Sequence, residues 1–179
     1  MTLIDDARPQ ILIRNEEEKD YPAVHAVNSS AFPTSAEANL VDALRKHSHS
    51  PISLVAEINE EVVAHIMFTP VNLVGQFELK MVGLAPIAVA PAHQRKGYGS
   101  ALIRAGIERC RKLGFGAVFV LGHSRYYERF NFLPAKLFGL TCEYALADDS
   151  FLVLELQERY FYGKSGTIDY HVAFKNFIP

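Results

Sequence analysis

One stretch constrains this chain more than any other. An apolar run over residues 87–90 stops at Pro91. A polar loop over 92–96 leads into Gly97-Tyr98-Gly99. A helical apolar pattern follows: Leu102, Ile103, Gly106, Ile107, Cys110 and Leu113. The order is strand, glycine-bearing turn, helix, and that order makes an anion site. The first N–H groups of a helix have no partner inside it, and they sit at the positive end of its dipole. Gly97 and Gly99 carry no Cβ, so a ligand can approach the backbone closely and the turn can take positive φ. A phosphate or pyrophosphate suits such a place. The expected contacts come from Gln94, Gly97, Tyr98, Gly99 and Ser100, with Arg95 and Lys96 adding charge at the rim.

Two common phosphate ligands fit poorly. The pattern G-x-x-x-x-G-K-[ST] of nucleoside triphosphate loops is absent. The dinucleotide pattern requires a third glycine where this chain has Leu102, and the next predicted strand, 117–121, carries no acid for a ribose. The run Gln94-Arg95-Lys96-Gly97-Tyr98-Gly99 instead resembles the acetyl-CoA signature Q/R-x-x-G-x-G/A of the GNAT superfamily of N-acetyltransferases. Val89-Ala90-Pro91 matches the V-x-P that precedes it. A second match lies downstream, where Tyr127 to Phe132 resembles the family's Y-x-x-x-G-F. Asn131 replaces the glycine, and asparagine is the residue best able to stand in at positive φ.

The resemblance implies a fold and a reaction. The fold class is α/β (α+β): one mixed, mostly antiparallel central sheet with splayed strands and helices on both faces. A V-shaped opening is expected between the strands ending near Val89 and Leu121. Backbone groups of Ile87, Ala88 and Val89 would hold the pantetheine arm of acetyl-CoA, the co-substrate, with Tyr126 close by. Tyr127 would lie near the sulfur and protonate the departing thiolate. The acceptor would be a primary amine of a small molecule or an exposed amino group, acetylated directly in a ternary complex. The competing reading is a non-catalytic acyl-CoA-binding sensor. Three side chains are candidates for the base: Glu37, near the first turn of a predicted helix; His123, after the splayed strand; and His65, in an apolar strand that suits a core histidine. A covalent route through Cys110 is disfavoured by its place on the apolar face of its helix, where burial raises a thiol pKa.

Bulk properties narrow the classes further. The chain has 179 residues, which suits a single domain over 1–179 with a loose leader over 1–9. A formal net charge of -2 gives no overall attraction to nucleic acid. Arg104, Arg109, Arg111 and Lys112 read as a solvated helix face. No apolar run is long enough for a bilayer, and Asp5 and Asp6 argue against a secretory signal. The two cysteines are far apart and define neither a disulfide framework nor a zinc site. His47 and His49 have no further ligands nearby, so no metal is expected. A reducing cytoplasm is the default compartment, and a homodimer stays open.

Along the chain the patterns predict strands over 11–14, 53–58, 61–73, 77–89, 117–121 and 151–156. The third of these should break at Thr69-Pro70. Helices are expected over about 20–31, from Ser35 as N-cap to about 46, from Gly97 to 112 with a stop at Gly114, and over 124–130. Gly83 and Pro86 inside the fourth strand mark a bulge or lost pairing.

Overall fold

The computed structural model describes residues 10–144 and 149–177; the predicted leader lies outside the described residues. In chain order the elements are β1 (Leu12–Asn15), α1 (Tyr21–Ala31), α2 (Ala36–His47), β2 (Ile52–Ile58), β3 (Glu61–Leu73) and β4 (Gln76–Val89). Then come α3 (Tyr98–Lys112), β5 (Ala117–Leu121), α4 (Ser124–Glu128), β6 (Leu133–Pro134), β7 (Leu140–Cys142), β8 (Phe151–Glu155) and β9 (Gly166–Asp169). The sheet order is β1-β2-β3-β4-β5-β8-β6, with β9 on the far part of β3 and β7 on β9. Only β4–β5 and β7–β9 are parallel among the described strands.

Alternation along the central strands divides the core into two layers. Met67 and Val71 of β3 face Val24 of α1 and Leu40, Val41 and Leu44 of α2. Ile66 and Phe68 face Leu102, Ile103, Ile107 and Cys110 of α3. Helices therefore cover both faces. The α3 contact is close: a Cβ on Gly106 would lie 2.2 Å from Phe68 Cε2. Gly114, at φ 78°, ends α3 as expected, with the Phe115 N–H returning to Cys110 O at 3.1 Å.

Two local expectations need correction. β3 is not interrupted at Thr69-Pro70; it runs through, with Pro70 paired to Val82. Its other edge explains why proline is tolerated. Pairing with β2 ends at Phe68 and pairing with β9 begins at Asn72, so Pro70 stands where that edge has no neighbour to receive an N–H. At the start of α2, Ser35 is the N-cap residue but makes no side-chain cap. The hydroxyl of Thr34 accepts the Ala36 N–H instead, at 3.3 Å.

The sheet forks where the sequence places Pro86. β4 pairs with β5 from Met81 to Leu84 only. Beyond Leu84 it stays on β3, with Ile87 opposite Ile66 and Val89 opposite Ala64, whereas β5 stays on β8 up to Leu121 opposite Phe151. At the branch, Ala85 and Pro86 of β4 stand against the single Met67 of β3. That two-against-one count is a bulge, which bends the bulged strand. Pro86 adds the loss of one donor.

Candidate active site

The predicted phosphate turn is built as an anion cradle. Gly97 takes φ 90° and caps α3. The first helical bond runs from Ala101 N–H to Gly97 O at 3.0 Å, so the N–H groups of Tyr98, Gly99 and Ser100 precede the ladder and face outward. Arg95 is also left-handed, at φ 59°. Gln94 braces the loop, its Nε2 donating to Val89 O at 3.0 Å. Lys96 Nζ donates to Ala92 O at 2.8 Å, which ties its charge across the loop. The cradle encloses about 470 Å³ and brings together Val89, Gln94, Arg95, Gly97, Tyr98, Gly99, Ser100 and Tyr126, with His93 and Arg129 added.

Arg129 falls at a variable position of the second motif, so the motif does not single it out. Its Nη2 donates to Ser100 Oγ at 2.7 Å, and its guanidinium sits 4.6 Å from the Tyr126 ring centre. The available signal was positional: Tyr126 and Arg129 are three residues apart at a helix end, so they share one side. The cradle fits a diphosphate on two grounds. It offers backbone donors beside a guanidinium edge, and a Cβ on Gly99 would project into it, 3.4 Å from Tyr126 Oη and 3.5 Å from Val89 Cγ2.

The fork lies next to the cradle. Ala90 N–H bonds to Val63 O at 2.9 Å. Successive strand residues turn opposite ways, so Ala88 also turns its N–H toward β3. The backbone groups of Ile87 and Val89 turn to the open edge. At the end of β5, the ring of Tyr127 packs on Gly122, where a Cβ would lie 2.7 Å from its Cε2. Tyr126 and Phe132 contact it edge-on, at 5.1 and 5.6 Å. Burial, and secondarily Tyr126, raises the Tyr127 phenol above its ordinary value, so it keeps its proton throughout the neutral range. Asn131 does adopt positive φ, 67°, and the Tyr127-to-Phe132 turn keeps its form.

On the opposite face, a cavity of about 240 Å³ opens between Leu84 and Ala85 of β4 and Leu121 of β5 with Gly122 just beyond it, walled by aromatic rings from the C-terminal region. The three base candidates fall in different places. His65 is fully buried; its Nε2 meets Ser53 Oγ at 2.9 Å and its Nδ1 meets Asn28 Nδ2 at 3.1 Å. Burial first, then Arg45, lowers its pKa to about 3. His123 is exposed and is the N-cap residue of α4. Glu37 lies in the first turn of α2, on the stripe shared with Val41 and Leu44. Its Oε2 is buried with no hydrogen-bond partner among the described residues. Phe177 borders the fork cavity and also a separate groove along α2 lined by Ala36, Asn39, Leu40 and Ala43; Glu37 lines neither. The Cys110 thiol is pushed up to about 12 by burial, which leaves it unreactive.

A forked sheet, a cradle of backbone N–H groups at one helix start and a buried phenol at the branch together have the form of a transferase that works on an acyl-CoA. The chain belongs to the acetyltransferase (GNAT) family, whose model matches residues 12–132. It is 33% identical over 168 residues to the N-acetyltransferase YhbS of Escherichia coli K12, covering 93% of this chain and 100% of that one. It is 39% identical over 121 residues to YjhQ of the same strain, covering 66% of this chain and 67% of that protein. The crystal structure of E. coli YhbS in complex with CoA superposes with a TM-score of 0.90 at 32% identity, covering 95% of this chain and 94% of that one. A GNAT acetyltransferase from Brucella melitensis in complex with acetyl-CoA gives 0.76 at 31% identity, covering 93% and 99%.

Proposed function

We propose that this protein moves the acetyl group of acetyl-CoA directly to a primary amine, of a small molecule or an exposed amino group, in a ternary complex. One observation carries the reading. The cradle and the fork cavity lie on opposite faces of the sheet, with the open edge of β4 and the ring of Tyr127 between them.

Acetyl-CoA supplies an activated thioester: the amine nitrogen forms the new C–N bond, the C–S bond breaks, and CoA leaves as the thiol. The chain does the rest. The N–H groups of Tyr98, Gly99 and Ser100, with Arg129, hold the diphosphate. Backbone groups of Ile87 and Val89 align the pantetheine arm. Tyr127 Oη holds a proton for the sulfur; a thiol's ordinary pKa is about 8.5 and a phenol's about 10, so near neutrality the phenol donates and the thiolate accepts. Glu37 is the base best supported, because its half-buried carboxylate keeps one oxygen, Oε2, buried without a partner among the described residues; such an oxygen calls for a compensating donor, and the acceptor's ammonium supplies one. His65 is closed off by its two hydrogen bonds and its lowered pKa. Cys110 and Cys142, both buried and not joined in a disulfide, suit a reducing, cytoplasmic setting.

The test is steady-state release of free thiol from acetyl-CoA across a panel of primary amines. Tyr127→Phe keeps the ring and removes only the proton. It should lower kcat roughly ten- to a thousandfold, with acetyl-CoA affinity by calorimetry within about twofold of the parent. Glu37→Gln should raise the amine's KM. Turnover of Tyr127→Phe at the parent's rate, with chemistry limiting, would remove Tyr127 from the role. Tight binding of acetyl-CoA without thiol release from any amine would favour the sensor.

A further inference from the structure

The aromatic residues near the C-terminus say what kind of amine the fork cavity takes. Tyr144, Tyr170, Phe174 and Phe177 form a chain of edge-to-face contacts, with ring centres 6.2, 5.2 and 6.3 Å apart in succession. All four rings border the cavity, opposite Leu84 and Leu121. The two phenol oxygens are withdrawn from it: Tyr144 Oη and Tyr170 Oη are both buried from solvent. The tyrosines therefore present carbon, and no charged side chain lines the cavity among the described residues.

Size narrows the occupant. A cavity of about 150 Å³ lined by aliphatic and aromatic carbon holds a benzene ring. This one, at about 240 Å³, has room for a ring and a short arm. An aromatic body adds further edge-to-face pairs to rings already held in that geometry. A polyamine would bring further ammonium groups into a space lined mainly by carbon, with the Ser150 hydroxyl but no charged side chain among the described residues to pair them, which is costly.

We infer that the acceptor is a primary amine on a compact aromatic body, of about the size of phenethylamine, with its ring in the fork cavity and its nitrogen at the branch of β4 and β5. This inference rests on the acetyltransferase reading and specifies its acceptor.

The experiment measures thiol release at saturating acetyl-CoA with three probes: phenethylamine, n-propylamine and spermidine. Phenethylamine is expected to show a kcat/KM at least tenfold above both others. Equal or better turnover of spermidine or n-propylamine would overturn the inference while leaving the acetyltransferase standing. No release from any amine, with calorimetry showing acetyl-CoA bound, would overturn both. A second comparison uses Phe177, which is half-buried at the cavity's margin. With phenethylamine as acceptor, Phe177→Ala should weaken apparent amine binding about tenfold, seen as a higher KM, with kcat within about twofold. Phe177→Leu should recover most of the loss. A variant that slows phenethylamine and n-propylamine by the same factor would show that Phe177 merely supports the fold, and the pocket assignment would fail.

Discussion

Gly97 and Gly99 stand two positions apart, and different physics holds each of them. Gly97 is left-handed, yet a Cβ there would meet nothing within 4 Å. Its requirement is conformational, worth roughly 1–2 kcal/mol for a side-chain-bearing residue. Gly99 has no unusual φ, but its Cβ would point between Val89 and Tyr126, into the cradle. Against the protein itself, a Cβ at Gly97 would cost only φ, whereas a Cβ at Gly99 would take up space inside the cradle. Gly99→Val should therefore weaken acetyl-CoA binding at least tenfold by calorimetry. The folded state should hold, since valine is no worse than glycine in a helix. Unchanged affinity would place the diphosphate elsewhere. Other residues divide the same way between legible and hidden. Asn131 at positive φ follows from residue chemistry alone. Arg129 does not, because it stands at a variable position of its motif, and its partner Ser100 on α3 is brought near only by the fold.

At the scale of elements, α3 carries the cradle at one end and is held at its middle by the Gly106–Phe68 contact. Phe68 is fully buried, so its ring has little room to yield. Gly106→Ala gains up to about 1 kcal/mol in helix propensity, but overpacking a core contact typically costs about 1–3 kcal/mol. A lower urea midpoint and weaker acetyl-CoA binding are expected together, because a displaced α3 carries its N-terminus with it. A variant as stable as the parent would mean that the contact is slack. The principal strands and helices were readable from apolar spacing and from stop signals such as Gly114. What escaped the sequence depended on distant partners. Pro70 is harmless only because β2 stops at Phe68 and β9 arrives at Asn72, a relation no local window contains. The rings near the C-terminus wall a cavity only because β9 joins β3, a pairing no local window contains.

For the molecule as a whole, the buried Asn28–His65–Ser53 cluster ties stability to pH. Asn28 Nδ2 donates to Val24 O at 2.9 Å and meets His65 Nδ1, so Nδ1 accepts and the proton sits on Nε2, toward Ser53. The folded pKa of about 3 lies below the ordinary value of about 6.5. Above pH ~6.5 the ring is neutral in both states and its contribution is complete. As pH falls from about 6.5 toward 3, the unfolded chain gains the proton first, and stability drops by up to about 1.4 kcal/mol per unit from this residue. The His65 ring should show no NMR titration between about pH 7 and about pH 4; a midpoint near its ordinary value of about 6.5 would contradict its closed environment. The same sheet that buries His65 opens at the fork, where co-substrate and amine are to meet from opposite faces. A bisubstrate compound, phenethylamine joined through an acetyl bridge to the sulfur of CoA, spans both cavities at once. Calorimetry should find it bound at least about a hundredfold more tightly than CoA, the lower end for ligands that capture both partners of a transfer. Binding no tighter than CoA itself would show that the two cavities do not communicate through the fork.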